Sequence, residues 1–486
     1  MSSYDSLRWV VESGLTTSTS SSYRRFGEKY FNDPVGFSQE CILWRNDDRL
    51  AGYQQRTLSK LISERRESLV GPHGLGKTTT FSQAILWFAL TRDALEIDWK
   101  IPTTASVWRQ LEKFLWPEVH KWARRLKWDQ IGRKAFDDHE LLSLALKLDF
   151  GEAFAIASDN PETLEGAHAS EILYIFDEAK IIPDPTWDSV EGAFSTGNAY
   201  WLAGSTPGTP NGRFYDICSR KAGYQDWYVN RVTLDEAIES GRINKEWAEA
   251  RRRQWGENSS VFKNRVLGEF AAQETDSAIP LAWVEQANER WQKLMDAGWR
   301  ANDHTMTSLG ADIARYGEDK TCLALRYSNV ISHIERFDQQ DTMTTTGKIV
   351  ARLRDHAEAN VDVIGLGAGV VDRLRELGIP VNAFNSAEAT DGTDISGERI
   401  FLNKRAEAWW HLRELLDPDR GEEIALPPDD LLIGDLTAPR WKETSNGRIQ
   451  IESKDDIRKR LGRSTDSADA VIMAFYNNFE RTGIFV

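Results

Sequence analysis

The chain has 486 residues, of which 41% are hydrophobic, and a formal net charge of -15. It is too long for one ordinary core and apolar enough for two, and its acidity excludes a protein whose whole surface clamps nucleic acid, because neutralising phosphates takes clustered Lys and Arg. Three scattered cysteines, Cys41, Cys218 and Cys322, exclude a disulfide framework and a Cys-based zinc site. The absence of any run of about 18 uncharged apolar residues excludes a membrane-spanning helix. The start, "MSSYDSLRWV", lacks the basic-then-apolar pattern of a signal peptide, so a soluble protein in a reducing cytoplasm is expected.

Taken in chain order, "GLTTSTSSS" is small, polar and without period, which predicts a flexible lead-in and N-terminal arm over 1–39. Short apolar runs then alternate with helical patterns over 40–270, the pattern of an α/β domain on a largely parallel sheet. Within it, "GYQQRTLSK" places Gln54 at a distance upstream of the next motif that suits an adenine-reading glutamine. "GPHGLGKTTT" satisfies G-x-x-x-x-G-K-[ST] through Gly71, Gly76, Lys77 and Thr78, with Gly74 and Thr79 completing the expected nucleotide-binding set. Glycines let backbone N–H groups turn onto phosphate oxygens, Lys77 reaches the β/γ-phosphates, and the Thr78 hydroxyl ligates Mg²⁺. The following "TTTFSQAILWFALTR" puts Phe81, Ile85 and Phe88 on one helical face, so a helix starts with its positive end toward the phosphates.

"EILYIFDEAK" is an apolar strand that delivers Asp177 and Glu178 to the carboxyl edge of the sheet, Asp177 to hold Mg²⁺ through water and Glu178 to polarise the attacking water. "AYWLAGSTP" is a third buried strand, ending in Ser205 and Thr206, where helicase-like ATPases sense the γ-phosphate. The basic runs Arg251 to Arg253 and "KDDIRKRLGR" from Lys454 to Arg463 read as solvated faces, and the tryptophans of "WFAL" and "AWWHLRELL" read as core packing.

The polar stretch "GEFAAQETDSAIP" opens a linker and helix over 271–303. A second domain over 304–486 begins with consecutive antiparallel strands, with Gly317 and Asn329 at their turns. Asp312 ends the first of these strands, Asp362 lies at a later strand before a glycine turn, and Asp466 and Asp469 share one face of a helix start. Three carboxylate stations on two strands and a helix form the arrangement by which a ribonuclease-H-like fold holds two divalent ions, about 4 Å apart, to cut a phosphodiester. "GLGAG" is G-x-G-x-G rather than G-x-G-x-x-G, so a tight turn is expected there and not a dinucleotide site.

In combination these segments resemble the large terminase subunits of tailed bacteriophages. The likeness runs through "GPHGLGKTTT", "TTASVWRQ", "SDNPETLEGAHA", "LYIFDEAKIIPDPTWDSVEGAFS", "GSTPGTPNGRFYDI" and "VFKNRVLGEF". It continues through "GADIARYGEDKT", "VDVIGLGAGVVDRL" and "SKDDIRKRLGRSTDSADAVIMAF". The resemblance implies an ATPase and a metal-dependent DNA endonuclease in one chain. ATP and Mg²⁺ serve the first site, and Mg²⁺ or Mn²⁺, as two ions, serve the second. Lys77, Thr78, Asp177 and Glu178 then carry hydrolysis, Ser205 and Thr206 couple it to movement, and Asp312, Asp362 and one or both of Asp466 and Asp469 carry the cut. Implied partners are double-stranded DNA, a portal protein and a small terminase subunit. The implied assembly is a pentameric ring in the host cytoplasm, transiently on the procapsid and absent from the mature virion. Many relatives have an arginine in the phosphate loop where this chain has His73, so the arginine must come from elsewhere, Arg109 or a neighbouring subunit. Two other readings compete: a helicase-like DNA-dependent ATPase of repair or remodelling whose second domain binds DNA without cutting, and a nucleotide-gated scaffold without catalysis.

Overall fold

In the computed structural model the described residues are 21–45, 48–158, 164, 166–196, 198–271, 276–314, 320–338, 341–420 and 422–476. The expected lead-in therefore lies almost wholly outside them, as does the turn expected at Gly317. The chain divides into two compact units, Met1–Ala248 with Lys263–Ala271, and Glu249–Phe262 with Ala272–Val486. Residues 249–262 thus group with the second unit, whereas the sequence pattern runs the first domain unbroken to residue 270. The N-terminal arm also differs from a loose extension. Residues 21–30 are helical, and Phe26, Tyr30 and Phe37 are buried in the main core of the first unit.

The first unit is built on an eight-stranded sheet: β1 (Arg66–Val70), β2 (Trp99–Ala105), β3 (Leu141–Leu142), β4 (Ala145–Lys147), β5 (Gly151–Ala157), β6 (Glu171–Asp177), β7 (Ala199–Ser205) and β8 (Tyr228–Arg231). Their order is β3-β4-β5-β2-β6-β7-β1-β8. From β5 to β8 all neighbours are parallel, and β3 and β4 add an antiparallel edge. Strands covered on both faces read as continuous apolar runs, as β6 and β7 do. Register brings the functional strand ends to one edge: Val70 pairs with Ser205, and Asp177 with Gly204. The helix Lys77–Asp93 is buried on every side from Thr80 onward, not on the single face that Phe81, Ile85 and Phe88 suggested. Arg92, fully buried in it, is paired with Glu171 at 2.9 Å and lies over the rings of Phe31, Trp87 and Phe88.

The second unit holds a five-stranded sheet of β9 (Ser308–Asp312), β10 (Thr321–Tyr327), β11 (Val330–Phe337), β12 (Glu358–Asp362) and β13 (Val381–Phe384). The order is β11-β10-β9-β12-β13, with β9, β10 and β11 antiparallel and β9, β12 and β13 parallel. This is the mixed sheet of a ribonuclease-H-like fold, and it opens with the expected meander. Ser328 and Asn329 form the two-residue turn between β10 and β11, with Ser328 at φ 52°. A small sheet of β14 (Ile400–Phe401), β15 (Trp441–Glu443) and β16 (Arg448–Ile451) completes the unit. The helix Asp466–Phe475 lies against β9 closely enough that a Cβ on Gly310 would sit 1.9 Å from the Ala470 carbonyl oxygen. Gly367 plays the part expected of the glycine turn, since a Cβ there would meet the Asp362 carbonyl oxygen at 1.7 Å. Among the described residues no helix is long and apolar enough to cross a membrane.

Candidate functional site

The loop after β1 is shaped by two residues in left-handed backbone, Gly74 at φ 85° and Gly76 at φ 70°, a conformation a side chain would strain. At Gly71 a Cβ would come within 2.7 Å of the Val232 carbonyl oxygen, so only glycine lets the chain leave β1 there. The loop leads directly into the helix Lys77–Asp93, which leaves the unpaired N–H groups of its first turn facing the loop. Lys77 is buried and donates to the Pro72 carbonyl at 3.3 Å. Burial lowers its ammonium below the ordinary range, against the opposing charges of Glu178 and Asp177. The Thr78 side chain is half-buried at the start of that helix. Thr79 is turned aside, its hydroxyl donating to Glu118 at 2.9 Å.

Asp177 ends β6 and is almost fully buried. Its Oδ1 accepts from the Glu178 backbone N–H at 3.0 Å and its Oδ2 from Gln110 Nε2 at 3.0 Å. Burial, and after it the Glu178 charge, push this carboxyl up to about 7. Glu178 adopts left-handed backbone, φ 49° and ψ 47°, a conformation rare for a residue with a side chain. That turn directs its carboxylate toward β7, where Ser205 Oγ donates to Oε2 at 2.9 Å. Thr206 is buried beside it. A buried carboxylate at the end of one strand, a glycine loop at the end of another and a lysine between them fit a magnesium-bound nucleotide chemically: oxygen donors for the ion, N–H donors and one ammonium for phosphates.

Gln54 takes a different place from the one expected. It is fully buried beneath the loop, its Nε2 donating to the carbonyls of Leu75 at 3.3 Å and Gly76 at 3.1 Å, while its Oε1 accepts from Ala51 N–H. Both amide donors are thereby taken, and with Tyr53, whose hydroxyl donates to Leu75 at 2.7 Å, Gln54 braces the loop from below. His73 is exposed on the loop, and its backbone N–H donates to Arg265 at 2.9 Å. Arg109 lies over the Phe114 ring, one residue from Gln110.

In the second unit, β9 and β12 run parallel with Ala311 opposite Val361, so Asp312 and Asp362 end neighbouring strands. The helix Asp466–Phe475 brings Asp466 and Asp469 to them. Asp312, Asp362 and Asp469 are buried. Lys454 reaches both oxygens of Asp312, at 3.0 and 2.9 Å, and Asp469 at 3.3 Å. Asp469 also accepts from Arg405 at 2.5 Å, Trp409 Nε1 at 3.3 Å and Thr465 Oγ1 at 3.0 Å. Asp466 accepts from the Lys320 N–H at 3.1 Å. Asp362 accepts from the Ile364 N–H at 3.0 Å.

The electrostatics follow from this crowding. Burial pushes the Asp312 carboxyl far up; Lys454 opposes it, and the three other aspartates add to it. Asp362 is raised for the same leading reason. Burial alone would also raise Asp469, but Arg405 and Lys454 outweigh it and hold the carboxyl below its ordinary value. Four carboxylates face two cations, which leaves excess negative charge for a hard divalent ion to neutralise. Among the described residues, however, no group of three or more acidic, His or Cys side chains stands ready to hold a metal. The Lys454 ammonium bridges Asp312 and Asp469. The donor set therefore suits Mg²⁺ or Mn²⁺ in kind, and the observed arrangement holds an internal cation instead.

Lys454 corrects the reading of its basic run as a solvated face. It is the N1 residue of a helix capped by Ser453, which turns this one lysine inward while Arg458 and Lys459 stay exposed. Arg405, Trp409 and Gln110 likewise lacked a local signal, because each acquires its meaning from a partner more than a helix away. Thr465 alone was within reach, four residues before Asp469.

No family model matches the chain. It is similar to the probable large terminase subunit of Enterobacteria phage P7, 25% identical in an alignment of 338 residues that covers 66% of this chain and 66% of that protein. The similarity thus spans just under two thirds of the relative's length. Among solved structures, it is similar to the nuclease domain of the large terminase subunit gp2 of bacterial virus Sf6, at 23% identity and a TM-score of 0.35, covering 41% of this chain and 99% of that one. It is also similar to the large terminase from a thermophilic bacteriophage, at 13% identity and a TM-score of 0.41, covering 88% of this chain and 98% of that one.

Proposed function

We propose that this chain is the large subunit of a phage terminase, an ATP-driven motor that moves double-stranded viral DNA into a procapsid and cuts the concatemer. The observation that carries the reading is the pairing in one chain of two constellations. One is the glycine loop with Lys77 beside the buried Asp177 and Glu178; the other is the four-aspartate cluster on a ribonuclease-H-like sheet. The sequence similarity to the phage P7 protein supports it.

In the first site the loop backbone from Gly71 to Gly76 and the Lys77 ammonium hold the nucleotide phosphates. Thr78 and Asp177 would hold Mg²⁺, which supplies charge neutralisation across the phosphates. Glu178 orients the attacking water, and its hydrogen bond to Ser205 links that water to β7, so loss of the terminal phosphate is felt at Ser205 and Thr206. In the second site Asp312, Asp362 and Asp466, with Asp469 beside them, would hold one or two divalent ions, which activate water and stabilise the leaving oxygen. Lys454 opposes the burial that holds Asp312 and Asp362 toward the neutral form, and with Arg405 it keeps Asp469 ionised until then. The partners are double-stranded DNA, the portal of the procapsid and a small terminase subunit, and the working form is a ring, a pentamer, assembled in the host cytoplasm on the procapsid. A ring needs basic residues only along its channel, which is compatible with the acidic net charge.

The test is packaging itself. Procapsids carrying portal protein, incubated with the chain, its small subunit, ATP and linear DNA, should protect DNA from added nuclease. Lys77→Ala should abolish that protection. ATP-independent protection, or none with the wild-type chain alongside DNA-stimulated phosphate release, would contradict the motor reading.

A further inference from the structure

The helical segment after β2 changes its winding where it passes the nucleotide site. Trp108–Gln110 is α-helical, Leu111–Leu115 is a π-turn, and Trp116–Ala123 is α-helical again. From the first part Gln110 donates to Asp177; from the last, Glu118 accepts from Thr79 at the start of the helix that follows the phosphate loop. In an unbroken α-helix, positions eight apart lie roughly 80° apart around the axis. A π-turn takes up one extra residue, so Gln110 and Glu118 behave like positions seven apart, within about 20° of one another. Both therefore face the nucleotide site, while Glu112, Lys113 and Phe114 of the wide turn are exposed and Leu111 and Leu115 are buried. Glu118 is a fixed anchor, held also by Lys121 at 2.8 Å and Trp122 at 2.7 Å.

We propose that the π-turn serves to aim Gln110 at Asp177, and that Gln110 is a positioning residue for the magnesium-bound nucleotide. The proposal rests on the nucleotide-site reading above. Each Asp177 oxygen receives one neutral N–H, from Glu178 and from Gln110, which fixes the carboxylate plane without cancelling its charge. A lysine or arginine in the place of Gln110 would compete with the ion; an amide orients and leaves the charge available.

The experiment is an equilibrium titration of the full chain with a fluorescent N-methylanthraniloyl ADP, in Mg²⁺ and in EDTA, with thermal unfolding of each variant alongside. The wild-type chain should bind more tightly in Mg²⁺. Gln110→Ala should keep the affinity in EDTA and lose about tenfold of the Mg²⁺-dependent gain. Deleting Lys113, which converts the π-turn to an α-turn and rotates Gln110 away, should give the same selective loss. A Gln110→Ala variant with the full Mg²⁺ gain, or one whose affinities in Mg²⁺ and EDTA fall together, would overturn the proposal. A deletion variant that keeps the gain would overturn the role of the turn. A wild-type chain that binds no nucleotide would instead overturn the nucleotide-site reading, and this inference with it.

Discussion

At the scale of single residues, burial decides what a side chain is for. Gln54 carries two loop carbonyls on its amide, so Gln54→Ala removes its hydrogen bonds to both, leaving them only Tyr53 and Thr80 as donors, and should cost about 1–3 kcal/mol in urea unfolding. Asp469 and Asp466, indistinguishable by spacing, part on the same ground. Asp469 lies between Arg405 and Lys454, both within ion-pair distance. Asp469→Asn should lower stability by about 3–5 kcal/mol by stranding the Arg405 guanidinium, while Lys454 keeps Asp312. Asp466→Asn, at a half-buried position, should leave the denaturation midpoint close to wild type, and equal losses in the two variants would refute the distinction. His411 gives a pH signature: burial, and then Arg326, lower its pKa to about 4. The unfolded chain binds that proton near pH 6.5, so the stability His411 contributes is present above about 6.5 and falls as pH drops toward 4, by on the order of 3 kcal/mol. His411→Gln should flatten that part of the stability curve. Of these residues the sequence announced the acids and the loop, because strand ends and glycine spacing are local signals. It gave no sign of Lys454 or Arg405, whose partners lie far along the chain.

At the scale of elements, the strands were the most legible part, since β6, β7 and the β9 to β11 meander each declare themselves by apolar runs or alternation. What stayed hidden was winding and closeness. The π-turn at Leu111–Leu115 has no composition cue, and the buried helix Lys77–Asp93 showed only one of its apolar faces as a pattern. The approach of the helix Asp466–Phe475 to β9 depends on Gly310, which reads as an ordinary strand glycine. Gly310→Ala would drive a methyl into Ala470 and Ala474, so the helix must shift and take Asp466 and Asp469 with it. The expected result is a lower melting temperature of the second unit and lost DNA cutting, with ATP hydrolysis intact. Unchanged cutting would mean the helix is not fixed by that contact.

At the scale of the whole molecule, the central claim is that one chain carries two separate chemistries, nucleotide hydrolysis in the first unit and DNA cleavage in the second. Neither constellation shares a residue with the other, so each should be removable alone. The most direct measurement is to assay phosphate release and Mn²⁺-dependent nicking of plasmid DNA in the full-length chain and two variants. Lys77→Ala should lose hydrolysis by at least about a hundredfold and still nick. Asp362→Asn should lose nicking and still hydrolyse ATP. A wild-type chain that hydrolyses ATP but never nicks DNA, or an Asp362→Asn variant that nicks as the wild type does, would contradict the account.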